Sequence, residues 1–123
     1  MNATNLYGIP LEIENLQSLE DLNLSNNALK DLPQGIEKLV NLKQLYLRRN
    51  PFTQLPVNIF ALPKLQYLNL EDTNINELPS ELYKLTNLRS LNLSNTNLSA
   101  LPNQVTDISS LLIEVSNKVW TMI

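Results

Sequence analysis

Apolar residues recur in this chain at fixed spacings, and the unit is clearest in Leu39–Ala61, LVNLKQLYLRRNPFTQLPVNIFA. Its apolar positions are Leu39, Leu42, Leu45, Leu47, Phe52, Leu55 and Ile59, with Asn50 following the second leucine pair and Pro56 directly after Leu55. Leu45 and Leu47 alternate with Gln44, Tyr46 and Arg48. A period of two sends the leucines to one face and the polar residues to the other, so this stretch reads as a short strand. Asn50 and Pro51 turn the chain, and Phe52 and Leu55 return to the same interior from a second side. Pro56 then opens a tight turn or about one turn of helix, where its missing N–H costs least. In the following unit this turn reads Pro79-Ser80-Glu81-Leu82-Tyr83-Lys84, with its acid early and its base late, matching the partial charges of a helical turn.

The unit repeats. Pro10, Pro33, Pro56, Pro79 and Pro102 are each 23 residues apart, and each follows a Leu or an Ile. Self-similarity at this period, with L-x-x-L-x-L-x-x-N-x-L inside it, is the signature of leucine-rich repeats, and the chain resembles that family over nearly its whole length. The resemblance implies an α/β right-handed leucine-rich repeat solenoid, with short parallel strands on the concave face and short helical or 3-10 turns on the convex side. The physics agrees. A single coil has no second layer against which to bury its leucines, so each must stack on the next and share one continuous core, with neighbouring strands about 4.8 Å apart.

The organisation that follows is one domain. Residues 1–15 align with the later part of a repeat: Thr4 falls at the Asn50 position, Leu6 at Phe52, Ile9 at Leu55 and Ile13 at Ile59. Only Met1–Ala3 is left for a first edge strand. Full repeats span 16–38, 39–61, 62–84 and 85–107, with Asn27, Asn50, Thr73 and Thr96 at the ladder position. In the family this Asn hydrogen-bonds to backbone groups of the turn; Thr has fewer donors, so the second half is expected to be held less tightly there. From residue 108 the register breaks: Ile113 and Val115 regain the strand pattern only if one residue is deleted. Residues 108–123 are therefore an atypical end, with Ser116–Ile123 expected to fold back as a cap under Trp120 rather than to form a sticky end.

Composition narrows the chemistry. The chain has 123 residues, 43% of them hydrophobic, which suits one elongated domain. With 9 basic and 12 acidic residues the net charge is −3, so no basic field exists to hold a phosphate backbone, and nucleic acid is not an expected partner. His and Cys are both absent, which removes the usual general base, thiol nucleophile and soft-metal ligands. With only Gly8 and Gly35, neither a phosphate-cradling loop nor a dinucleotide fingerprint can be built. No catalytic residue, metal site or cofactor is expected. No apolar run approaches the roughly 20 residues that span a bilayer, and the opening MNATNLYGIP has neither a basic nor an apolar leader region, so a cytoplasmic location is favoured over that of a secreted effector. The adjacent carboxylates Glu20-Asp21 and Glu71-Asp72 point to opposite faces of a strand and read as solvated charge.

What remains is the outward side of the strands. Successive coils present Asp21, Asn23 and Ser25; Gln44, Tyr46 and Arg48; Tyr67, Asn69 and Glu71; and Ser90, Asn92 and Ser94. Most are small and polar. Tyr46, Arg48 and Tyr67 are the exception, and Tyr and Arg are the side chains that most often supply interface hot spots. The family's usual ligand surface is the concave face, so the resemblance points to the same patch: Tyr46, Arg48 and Tyr67, with Gln44, Asn69, Glu71, Asn92 and Asn23 around them and Arg49 and Asp72 beside the strand ends. The same residues admit a purely structural reading, in which Tyr46 covers Tyr67 and Arg48 pairs with Glu71 across one strand.

The expected function is a non-catalytic interaction module that binds a protein or peptide ligand on the concave face. Two other readings compete. One is a solenoid that self-associates as a homo-oligomer through its exposed ends. The other is part of a larger bacterial effector whose catalysis lies elsewhere. A glycan ligand would use Tyr46 and Tyr67 as well.

Overall fold

The computed structural model describes residues 11–98, 100–101, 112–114 and 121–122. Its strands are three residues long and return once per coil: β1 Asp21–Asn23, β2 Gln44–Tyr46, β3 Tyr67–Asn69 and β4 Ser90–Asn92. Before each of them runs a five-residue 3-10 turn, η1 Leu11–Asn15, η2 Gln34–Lys38, η3 Val57–Ala61 and η4 Ser80–Lys84. All pairing is parallel and in register by the leucines: Leu22 opposes Leu45, Leu45 opposes Leu68, and Leu68 opposes Leu91. The order of the sheet is the order of the chain, closed by a fifth strand.

That fifth strand settles the register break. Of the short strands β5 Ala100–Leu101, β6 Leu112–Glu114 and β7 Thr121–Met122, it is β6 that joins β4, pairing Leu91 with Ile113. The offset is 22 residues, one fewer than in every preceding coil, as the deletion requires. β5 pairs with β7 as a separate two-stranded ribbon. The expected first edge at Met1–Ala3, the ladder position Thr4 and the cap reading of Trp120 lie outside the described residues.

The core is one continuous stack. Leu22, Leu45, Leu68 and Leu91 are fully buried, as are their partners two residues on, Leu24, Leu47, Leu70 and Leu93. Phe52, Leu29 and Ile75 close it from the turn side and Ile36, Ile59 and Leu82 from the 3-10 side. No coil buries these residues alone, which is why the coils stack.

Each 3-10 turn begins one residue later than the proline position suggested. Pro33, Pro56 and Pro79 sit just before their turns in extended backbone, and the carbonyl of each accepts the N–H of Ile36, Ile59 or Leu82. Proline is well placed there, because it fixes the entry angle and no ladder bond needs its missing N–H. The turns close at Leu39, Leu62 and Leu85, whose N–H groups return to Ile36, Ile59 and Leu82. Five residues with i→i+3 bonding are about the limit for this tighter helix.

The ladder column behaves as its chemistry dictates. Asn50 Nδ2 donates to Leu47 O at 3.1 Å and to Leu24 O in the preceding coil at 2.9 Å, while its Oδ1 accepts Leu29 N–H at 3.1 Å. One amide thus joins two coils. Thr73 and Thr96 each donate only within their own coil, to Leu70 O at 2.7 Å and to Leu93 O at 2.9 Å. A hydroxyl has one proton to give, so the cross-coil bond of Asn50 is not reproduced.

Candidate functional site

Just beyond each strand the backbone passes through the left-handed region, at Asn26 (φ 62°), Arg49 (φ 58°), Asp72 (φ 59°) and Asn95 (φ 57°). Asn and Asp are the non-glycine residues that tolerate this conformation; Arg is not. The turn is needed because it keeps the N–H of Asn26, Arg49 and Asp72 bonded to Arg48 O, Glu71 O and Ser94 O of the next coil. Arg49 is held there against its own preference and extends its guanidinium to Asp72, with Nε 3.4 Å from Oδ2. Nothing in the apolar pattern marks this column; only its Asn-Arg-Asp-Asn composition does.

Arg48, one residue earlier, stands on the open face of the sheet. Its Nε lies 3.4 Å from Glu71 Oε1 and 3.6 Å from Asp72 Oδ2. That nitrogen is shielded from water yet has no aligned hydrogen bond, so the attraction is coulombic rather than bidentate. Glu71 and Asp72, expected as solvated charges, are partly buried and paired with the two arginines. Glu20 makes a more exposed pair with Lys43 at 3.3 Å.

Tyr46 and Tyr67 meet at the centre of this face, with ring centroids 5.4 Å apart and planes at 60°. This tilted edge-to-face contact suits the ring quadrupoles. The Tyr46 hydroxyl donates to Gln44 Oε1 at 2.7 Å, which fixes the ring between two neighbours. Partial burial raises the Tyr46 phenol above its ordinary value, and the Asp21 carboxylate and the Tyr67 phenol add to the effect. The structural reading is therefore realised in every contact: Tyr46 covers Tyr67, and Arg48 pairs with Glu71. Both tyrosines nevertheless remain half-exposed, so the contacts hold the patch in place without closing it off.

The asparagines have another task. Asn23, Asn69 and Asn92 occupy the column of Tyr46, and each turns its Oδ1 back to the N–H two residues on, at Ser25, Glu71 and Ser94, with distances of 2.9–3.0 Å. Asn69 and Asn92 are only 9% exposed. Their amides end the strand, since a short side-chain acceptor satisfies the donor that the turn would otherwise leave open. Tyr46 replaces this device in its coil. Among the residues singled out from the sequence, the structure thus brings Gln44, Tyr46, Arg48, Tyr67 and Glu71 together as an accessible cluster, and gives Asn23, Asn69 and Asn92 to the backbone. Ser90 and Ser94 make the floor beyond Tyr67 small. Among the described residues no group of acids is placed to hold a metal ion, and no helix is long and apolar enough to cross a membrane.

With stacked leucine-lined coils and this strand face in view, three family models match: Leucine rich repeat over residues 40–98, Leucine Rich repeats (2 copies) over 10–59, and Leucine Rich Repeat over 87–111. The chain belongs to the leucine-rich repeat family. No curated protein matches it in sequence. Among solved structures it is similar to the leucine-rich repeat domain of the type III effector XopL, at 31% identity and a TM-score of 0.80, covering 99% of this chain and 43% of that one. It is also similar to the plant peptide hormone receptor RGFR1 in complex with RGF2, at 31% identity and a TM-score of 0.72, covering 91% of this chain and 19% of that one. This leucine-rich repeat chain thus spans less than half the length of either. The leucine-rich repeat is a common protein–protein interaction module.

Proposed function

We propose that this leucine-rich repeat protein is a non-catalytic interaction module that holds a protein or peptide ligand across the open face of its sheet, centred on Tyr46, Arg48 and Tyr67. One observation carries the reading. On a face otherwise made of small residues tied into their own turns, two tyrosines and an arginine stand together, held in place by Gln44 and Glu71. A rigid aromatic pair offers contact area at low entropic cost on binding. That one of the similar structures is a peptide hormone receptor in complex with RGF2 supports a ligand of this class.

Affinity capture with the parent and with the double variant Tyr46→Ala, Arg48→Glu tests this. The parent is expected to retain one or more partners that the variant loses, with the melting temperatures of the two within a few degrees. A variant that retains every partner of the parent overturns it.

A further inference from the structure

A second surface lies away from the strand face, at the corner where each coil passes from its turn leg into the 3-10 turn. At the first position of η2, η3 and η4 stand Gln34, Val57 and Ser80. Val57 stands between the polar Gln34 and Ser80 of the adjacent coils, and at 69% exposure it is the most exposed large hydrophobic among the described residues. Covering such a side chain removes apolar surface from water, which favours association.

The surroundings of Val57 are shaped. On the η4 side lies a depression of ≈ 220 Å³, lined by Gln54, Leu55, Val57, Glu77, Pro79 and Glu81. Its base is apolar, from Leu55, Val57 and Pro79, and its only charges are the two carboxylates. Neither Glu77 nor Glu81 is in an ion pair among the described residues; Glu81 accepts only the Ser80 hydroxyl, at 3.0 Å. On the other side of Val57 a second depression of ≈ 280 Å³ shares Leu55 and Val57, adds Pro56, and has Lys30 and Asp31 on its rim. Val57 is thus a ridge between two hollows with a common aliphatic base, one of them rimmed only by negative charge.

We propose that this corner docks a basic segment of a partner protein. An extended stretch would place one Leu, Ile or Val side chain in the hollow between Val57 and Pro79, with flanking Lys or Arg residues facing Glu77 and Glu81. The charge pattern selects this occupant. Phosphate backbones are repelled by the two carboxylates. A second copy of this chain docking with this hollow on the two-fold axis would bring Glu77 and Glu81 close to their own equivalents, and like charges across an interface are costly. The site is independent of the tyrosine patch.

Fluorescence anisotropy on the full chain tests it, with two labelled peptide pools of equal length and one central Leu, Ile or Val. One pool carries Lys and Arg flanks, the other Asp and Glu flanks. Binding is expected from the basic pool alone, weakening as salt rises because rim charges are screened. Val57→Gln, which takes the residue found at position 34, is expected to weaken it by about five-fold or more; Val57→Ser, which takes the residue found at position 80, serves as a second variant. Glu77→Lys combined with Glu81→Lys is expected to abolish it, while Tyr46→Ala with Arg48→Glu leaves it unchanged. Equal binding of both pools, binding of neither, or basic-pool binding untouched by both Val57 variants overturns the proposal. So does a concentration-dependent dimer in light scattering that Val57→Gln dissolves, which would assign the corner to a second copy.

Discussion

The Tyr46 ring packs against Tyr67 at 5.4 Å on the next strand, while its hydroxyl is tied to Gln44 on its own strand. The phenol is therefore held partly out of water and near the Asp21 carboxylate, and both effects favour the protonated form. The raised phenol has a defined consequence for stability. Because the folded chain holds this proton more tightly than the unfolded one, the contribution of Tyr46 is fully present below the ordinary tyrosine value near 10 and is lost as pH rises through the folded value. Thermal melts at pH 9 and pH 11 check this: the parent is expected to lose more stability between the two than Tyr46→Phe does. Equal losses would show that the phenol is not perturbed.

The core leucines carry the stack. Leu68 is fully buried between Leu45 and Leu91 on flanking strands, so Leu68→Ala is expected to cost about 2–5 kcal/mol in urea denaturation. The loss reports on packing between coils and says nothing of the ligand face.

The ladder predicts an asymmetry. Asn50→Ala leaves Leu29 N–H and the Leu47 carbonyl without their side-chain partner and takes the cross-coil donor from Leu24 O, which keeps the Asn27 amide, and each unpaired buried group costs about 1–3 kcal/mol. Thr73→Val removes one donor from one carbonyl and is expected to cost about 1 kcal/mol. Denaturant melts that rank the two in the opposite order would contradict the cross-coil role of the amide.

The left-handed turn at Arg49 predicts a stabilising change. Arg49→Asn places a residue suited to φ 58° at that position and is expected to be more stable than Arg49→Ala by about 1 kcal/mol. Both variants lose the exposed contact to Asp72, so their difference isolates the backbone. Chemical denaturation of the pair decides it.

The sequence made the architecture legible because a 23-residue period in the leucines and prolines can be satisfied only by stacking. It also located Ile113 one residue out of step, and it placed Arg48 opposite Glu71, since a parallel sheet in leucine register puts equivalent positions side by side, with Tyr46 and Tyr67 diagonal neighbours on adjacent strands, Tyr67 opposite Gln44 and Tyr46 opposite Asn69. Less legible was what the small polar residues do. Asn69 and Asn92 look like ligand-facing side chains in a period-two strand, but their carbonyl oxygens are within reach of an N–H two residues on, a local backbone fact that alternation does not encode. Val57 escaped notice for a related reason: in a sequence dense with apolar residues, one more does not reveal that it points outward.

The chain by itself thus determined that identical coils lie on one another, which strand faces which, and which residues are interior, because burial follows the repeat. The tertiary structure alone decided which polar side chains are free, which charges are neutralised and where an aliphatic side chain is left uncovered. Those depend on distances between coils and on the path of the turns, quantities that a period in the sequence does not contain.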